Sequence, residues 1–164
     1  MTRRALLAGG VVLTLLATGG CGVRPSGVIT GRPAVSGPSR GVGLYLLAQG
    51  ELVLALRPAS ADASPANALT LLAAGPDENE RKQGFTSEVP AGLDPVTLTS
   101  GSNRPDDLTV RTAGAARSLS SRAADQIICT VADAAAQSGL AENSTPVTIV
   151  GSDGARPPRP CPLR

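Results

Sequence analysis

The chain contains no histidine and no tryptophan. Without histidine it lacks the usual general base near neutral pH and the commonest metal ligand. Its aromatic side chains are Tyr45 and Phe85 alone, too few for a platform that stacks bases or sugar rings. Lysine occurs once, at Lys82, and the arginines are scattered. With 15 basic against 13 acidic residues the net charge is only +2. A nucleic-acid partner, which asks for a clustered basic face, is therefore not expected. No recognised nucleophile motif is present, so neither a catalytic residue, a metal ligand nor a cofactor is expected.

What the chain does have is alanine, glycine and arginine in quantity, a composition typical of GC-rich bacterial genomes. Its 164 residues allow one domain with a modest core. The N-terminus reads as an address. Arg3-Arg4 precede an apolar run from Ala5 to Ala17, too short to span a bilayer comfortably. Gly19-Gly20 then lead into Cys21, a layout that resembles a bacterial lipoprotein signal. That resemblance implies cleavage before Cys21 and acylation of its thiol and new amino group, palmitate among the acyl chains. Residues 1–21 are thus set apart from the fold. Residues 22–40 are dominated by Gly, Pro and Ser and read as a flexible tether, reaching about 25 Å.

From residue 41 the pattern changes. Val42 to Leu47 and Leu52 to Arg57 read as two strands around a Gln49-Gly50 turn. Both are apolar on more than one face, so at least one should be central in a sheet. Ser64-Pro65 opens a helix with a stripe of Ala68, Leu69, Leu72 and Ala73. Gly75 is placed to end it, and Pro76 prevents continuation. Asp77 to Gln83 can form a further helical turn. Gly84 introduces a strand over Phe85 to Val89, stopped by Pro90. Val96 to Thr99 and Leu108 to Thr112 form a second hairpin. The longest helix spans Ser118 to Gln137, with Leu119, Ala123, Ile127, Val131 and Ala134 on one face and Ala124 and Ile128 beside them. Val147 to Val150 is a last strand. The tail ARPPRPCPLR is too proline-rich for sheet or helix and should be extended. These elements predict an α+β domain over 41–151, two helices on one face of a small mixed or antiparallel sheet, followed by a tail over 152–164.

Several of these residues together resemble the sporulation and spore-germination domain, GerMN. They are Leu52-Val53, Arg57, Ala68-Leu69, Leu72, Gly75-Pro76, Glu80, Gly84-Phe85-Thr86-Ser87, Val89-Pro90 and Gln126 to Thr130. The resemblance covers roughly residues 41–151 and implies an α+β domain of bacterial, here actinobacterial-type, envelope lipoproteins. The family has no established catalytic residues, and its implied role is interaction or scaffolding. Within the motif, Gly75 and Pro76 stop the helix and set the exit direction. Glu80 can accept backbone N–H groups of the next turn. Gly84 allows a positive φ before Thr86 and its strand. The acidic group Asp77, Glu78 and Glu80 and the lone Lys82 read as capping or solvated residues, not as an active site.

If Cys21 carries lipid, Cys129 and Cys161 form an even pair in an oxidising compartment, and a disulfide between them is expected. On a helical projection Cys129 falls almost opposite the apolar stripe, so it should lie outside the core, within reach of the tail. Arg156, Arg159 and Arg164 read as a solvated basic tail with the option of touching anionic lipid or wall polymer. The whole points to a non-catalytic lipoprotein on the outer face of the cytoplasmic membrane, bound to the membrane through its lipid and to an envelope protein through its domain. The alternative is a module that binds wall glycan or a small molecule. Substituting Cys21→Ser is expected to release the protein from membranes or to block its processing. Unchanged membrane retention and an unchanged mature mass would refute lipidation.

Overall fold

The computed structural model of the chain describes residues 41–58, 63–91, 93, 97–100 and 107–163. The Cys21 signal, the tether over 22–40 and Arg164 lie outside the described residues. The first hairpin forms as expected from β1 (Gly41–Ala48) and β2 (Glu51–Pro58). Gln49 and Gly50 both take positive φ, 52° and 83°, which gives the turn the twist of a two-residue hairpin. β1 is central and nearly all buried, as its apolar faces required, whereas β2 is an edge strand.

Helix α1 (Pro65–Ala73) begins where Ser64-Pro65 predicts: the Ser64 hydroxyl accepts from Asn67 N, and Pro65 fills the first turn. Gly75 stops the chain with φ +78°. A short helix, α2 (Glu78–Lys82), follows, and Gly84 at φ +87° turns the chain into β3 (Phe85–Thr86). β3 is shorter than the run to Val89 suggested. Its ladder with β1 holds only two residue pairs, Leu47 with Thr86 and Ala48 with Phe85. Beyond Thr86 a side chain from the long helix separates the two strands, as described below.

The second hairpin forms from β4 (Thr97–Ser100) and β5 (Leu108–Arg111). From β5 the chain passes through α3 (Ser121–Gln137) to β6 (Val147–Gly151), which lies parallel to β5. The Ser120 hydroxyl caps α3 by accepting from Ala123 N at 3.0 Å. The tail departs from expectation: Gly154–Arg159 is a strand, β7, antiparallel to β6. Its prolines are tolerated because β7 is the edge of the sheet and because a register shift falls where Pro157 and Pro158 sit.

The α+β class is therefore present, with the strands divided between two sheets, β2-β1-β3 and β4-β5-β6-β7. Both α1 and α3 touch strands of both sheets. One hydrophobic core joins them: Val42, Leu44 and Leu46 from the first sheet, Leu108, Val110, Val147 and Ile149 from the second, and the helical stripes between. All the stripe residues of α3 named from the sequence are buried.

Cys129 is also buried, at 1% exposure, against the expectation that it would lie outside the core. The reason is that α3 is covered on more than one side. The tail after β7 returns across it, and Cys161 forms a disulfide with Cys129 over a sequence separation of 32. In the chain-entropy account a loop of this size is worth about 3–4 kcal/mol. A Cys129→Ala/Cys161→Ala double variant should lose about that much stability in urea unfolding. A loss under about 1 kcal/mol would show that the bridge constrains little.

Candidate functional site

The motif residues converge on one side chain, Arg57 at the end of β2. Its guanidinium donates from Nε to Glu80 Oε1 at 2.9 Å and from Nη2 to Glu80 Oε2 at 2.5 Å. The same Nη2 donates to the Gly75 carbonyl at 2.7 Å, and Nη1 to Leu71 O at 3.5 Å. A fork of this kind matches a carboxylate in plane and leaves donors for the carbonyls left open at a helix C-terminus. Glu80 meanwhile closes a capping box: its carboxylate accepts from Asp77 N at 2.7 Å, and the Asp77 carboxylate accepts from Glu80 N at 2.8 Å. Glu80 thus serves the residue three before it, not the following turn as the sequence reading proposed. The helix it belongs to is one short turn, and the open donor is at its start.

Both partners are mostly withdrawn from solvent, with side chains 14% and 10% exposed. The hydrogen bonds from Arg57, helped by the Asp77 backbone and opposed by burial, hold the Glu80 carboxyl below the ordinary glutamate value of 4.5. Hydrogen bonding to Glu80 raises Arg57 in turn. A carboxylate so paired is a poor general base and a closed cation ligand. Lys82 pairs with Glu78 at 2.8 Å on the exposed side of the same helix. The hydroxyl of Thr86 donates to Leu47 O at 3.4 Å. Arg57 thus ties Glu80 to the Gly75 carbonyl, while Thr86 bonds β1 separately.

A second polar arrangement runs along α3. Arg122, Gln126, Thr130, Asp133 and Gln137 recur at helical spacing. Arg122 donates to the carbonyl of Gly50. Gln126, fully buried, donates to Tyr45 O at 2.9 Å and accepts from Glu88 N at 2.9 Å. The Thr130 hydroxyl accepts from Tyr45 N at 3.0 Å. The Gln126 carboxamide stands where a peptide unit of β3 would otherwise bond β1, and this is what ends the short ladder. Burial pushes the Asp133 carboxyl up, with Gln137 pulling against it; burial and then Asp133 raise the Tyr45 phenol.

A third arrangement fixes the loop before α3. The exposed carboxylate of Asp153 accepts from Ala116 N at 2.6 Å, Arg117 N at 2.9 Å and Ser118 N at 3.0 Å. Those N–H groups, Arg117 first, hold its carboxyl below the ordinary range. Arg156 takes the same loop's carbonyls, Leu119 O at 2.7 Å, Arg117 O at 3.1 Å and Ala116 O at 3.3 Å. Arg159 pairs with Asp125 of α3 at 2.6 Å. The reading of Arg156 and Arg159 as a solvated tail is therefore corrected: β7 carries both back to partners on the domain.

Space for a ligand is limited. Between Leu69, Leu72, Val110, Ile127 and Ile149 the interior leaves only about 10 Å³. Depressions of about 360 Å³ by Glu88 and Ser120, about 490 Å³ over residues 139–146 and about 240 Å³ beside Tyr45 and Cys161 are partly open to solvent. Among the described residues no group of three or more acidic, cysteine or histidine side chains is set to hold a metal, and no helix is long and apolar enough to cross a membrane. The most distinctive surface is on β2, where Val53, Leu54 and Leu56 are 38%, 43% and 56% exposed. Of the residues that shape these sites, sequence reading identified Glu80 through the GerMN-like motif but missed both its capping box with Asp77 and its pairing with Arg57. It also missed Asp153 and Arg156, whose partners lie more than thirty residues away. Comparison of the chain with protein-family models, curated proteins and solved structures returned no match.

Glu80→Ala leaves the withdrawn Arg57 guanidinium unpaired and should cost about 3–5 kcal/mol at neutral pH. Because folding lowers the Glu80 pKa, the unfolded state binds that proton more readily. Its contribution is complete above the ordinary carboxylate range and is lost as pH falls through the folded value. Urea titrations from pH 7 to pH 3 should show this loss in the native chain and a flatter profile in the variant. A variant as stable as the native chain would show that the pair holds nothing together.

Proposed function

We propose that this chain is a non-catalytic cell-envelope lipoprotein, held by lipid on Cys21 at the outer face of the cytoplasmic membrane, whose GerMN-like domain works as a protein-interaction or scaffolding module. The compartment is inferred from the lipoprotein-like N-terminus and suits the Cys129–Cys161 disulfide. The observation that carries the interaction role is the exposed apolar strand β2. It lies at a sheet edge and shows three large aliphatic side chains to solvent. Natural edge strands are usually blunted by charge, proline or a bulge. Here the run Leu52 to Leu56 has none of these.

The acidic segment offers less. Glu80 is occupied by Arg57, Asp77 by its capping bond and Glu78 by Lys82. Binding of wall glycan or a small molecule would call for an apolar pocket with convergent polar groups. The filled interior gives that reading no support.

A photocrosslinking side chain at position 56, in the full chain in its own membranes, should yield a discrete protein adduct. The same probe at Glu142, an exposed site away from β2, should not. Equal and diffuse labelling from both positions would sink the interaction role.

A further inference from the structure

The outer edge of β2 carries more information than its exposure. Ala48 and Glu51 flank the two-residue turn and so form a hydrogen-bonded pair. Alternation then fixes the rest: Val53, Ala55 and Arg57 direct their backbone groups toward β1, while Leu52, Leu54 and Leu56 direct theirs outward. Among the described residues no strand or side chain meets those outward groups. A partner strand is what would satisfy them.

The sequence of the edge selects which strand. Read antiparallel against itself about Leu54, the segment Glu51 to Arg57 is self-complementary. Leu54 faces its own copy, Leu52 faces Leu56, Val53 faces Ala55, and Glu51 faces Arg57. The outward backbone groups fall at Leu54 with Leu54 and at Leu52 with Leu56, the positions where an antiparallel ladder places its hydrogen-bonded pairs. The Arg57 guanidinium stays with Glu80, so the match rests on the leucines and on the outward backbone groups, not on an ion pair. A two-fold axis through Leu54 gives a closed pair, since the same patch serves both partners.

We infer that the occupant of this edge is a second copy of the chain, paired through β2 so that two three-stranded sheets become one six-stranded sheet. This rests on the reading of the domain as an interaction module and names the partner. Anchoring both copies in one membrane would raise their effective concentration and favour a modest interface.

The test uses full-length chain in membranes, with the unsubstituted protein as background for Cys21. Leu54→Cys places a thiol opposite its own copy at a Cα separation of about 5.5 Å, within the span of a disulfide. Mild oxidation should give roughly tenfold more homodimer from L54C than from Leu52→Cys or Leu56→Cys alone, because each of the latter faces a leucine. Co-expressing L52C with L56C should restore the crosslink. Leu54→Lys, which sets two like charges on the axis, should keep the native circular dichroism and abolish dimer found by an amine-independent crosslinker. An L54C chain that stays monomeric with its thiol open to maleimide overturns the second copy. A specific adduct to another protein at that position would then leave the interaction role standing. A monomer with a blocked thiol overturns it in favour of the chain's own residues, and no adduct of any kind at position 54 sinks both readings.

Discussion

The guanidinium of Arg57 is the contact on which the first half of the domain depends. It sits at the end of an edge strand, yet it is largely withdrawn from solvent because three other pieces of chain close over it. It meets the last turn of α1 at Leu71, the stop at Gly75 and the carboxylate of Glu80 in α2. Each of these has a polar group that the local structure cannot satisfy. A helix C-terminus leaves carbonyls open, and a carboxylate taken out of water needs donors. One planar fork answers both needs. Lysine, with a compact charge on a flexible stem, would not reach all of them in one geometry.

The second half depends on a comparable economy. α3 is apolar toward the shared core and polar along the stripe from Arg122 to Gln137. Three members of the polar stripe, Arg122, Gln126 and Thr130, bond the backbone of the first hairpin. Gln126 supplies the donor and Thr130 the acceptor that a neighbouring strand would have given Tyr45. A helix therefore occupies part of the edge of β1. The side chains of Asp153 and Arg156 then fix the loop that launches α3 by taking its N–H groups and carbonyls separately.

These arrangements bear on function by subtraction. The charged residues that looked most like a site are spent on holding the chain together. The basic residues Arg156 and Arg159 are spent in the same way. Among what remains unsatisfied in the described structure are apolar surface and backbone polarity along β2. The proposed interaction role rests on that edge and not on any motif.

The sequence by itself determined the local structure. Ser64-Pro65 and Ser120 start helices, Gly75 and Gly84 take positive φ, Gln49-Gly50 makes a tight turn, and the apolar stripes of both helices go to the core. All of these depend on residues within a few positions of one another, so their spacing carries the information. The Cys129–Cys161 pairing was legible too, by parity and compartment, although the burial of Cys129 was not. Tertiary structure alone decided what depends on distant partners. It cut the ladder of β1 with β3 to two pairs, because Gln126 from α3 enters between β1 and the segment after Thr86. It made a strand of the proline-rich tail, because an unpaired edge of β6 was available and an edge tolerates proline. It also chose Arg57 for Glu80, 23 residues apart in the chain. No periodicity records such a choice, since it is made only when the hairpin and the helix stop have already been brought to the same place.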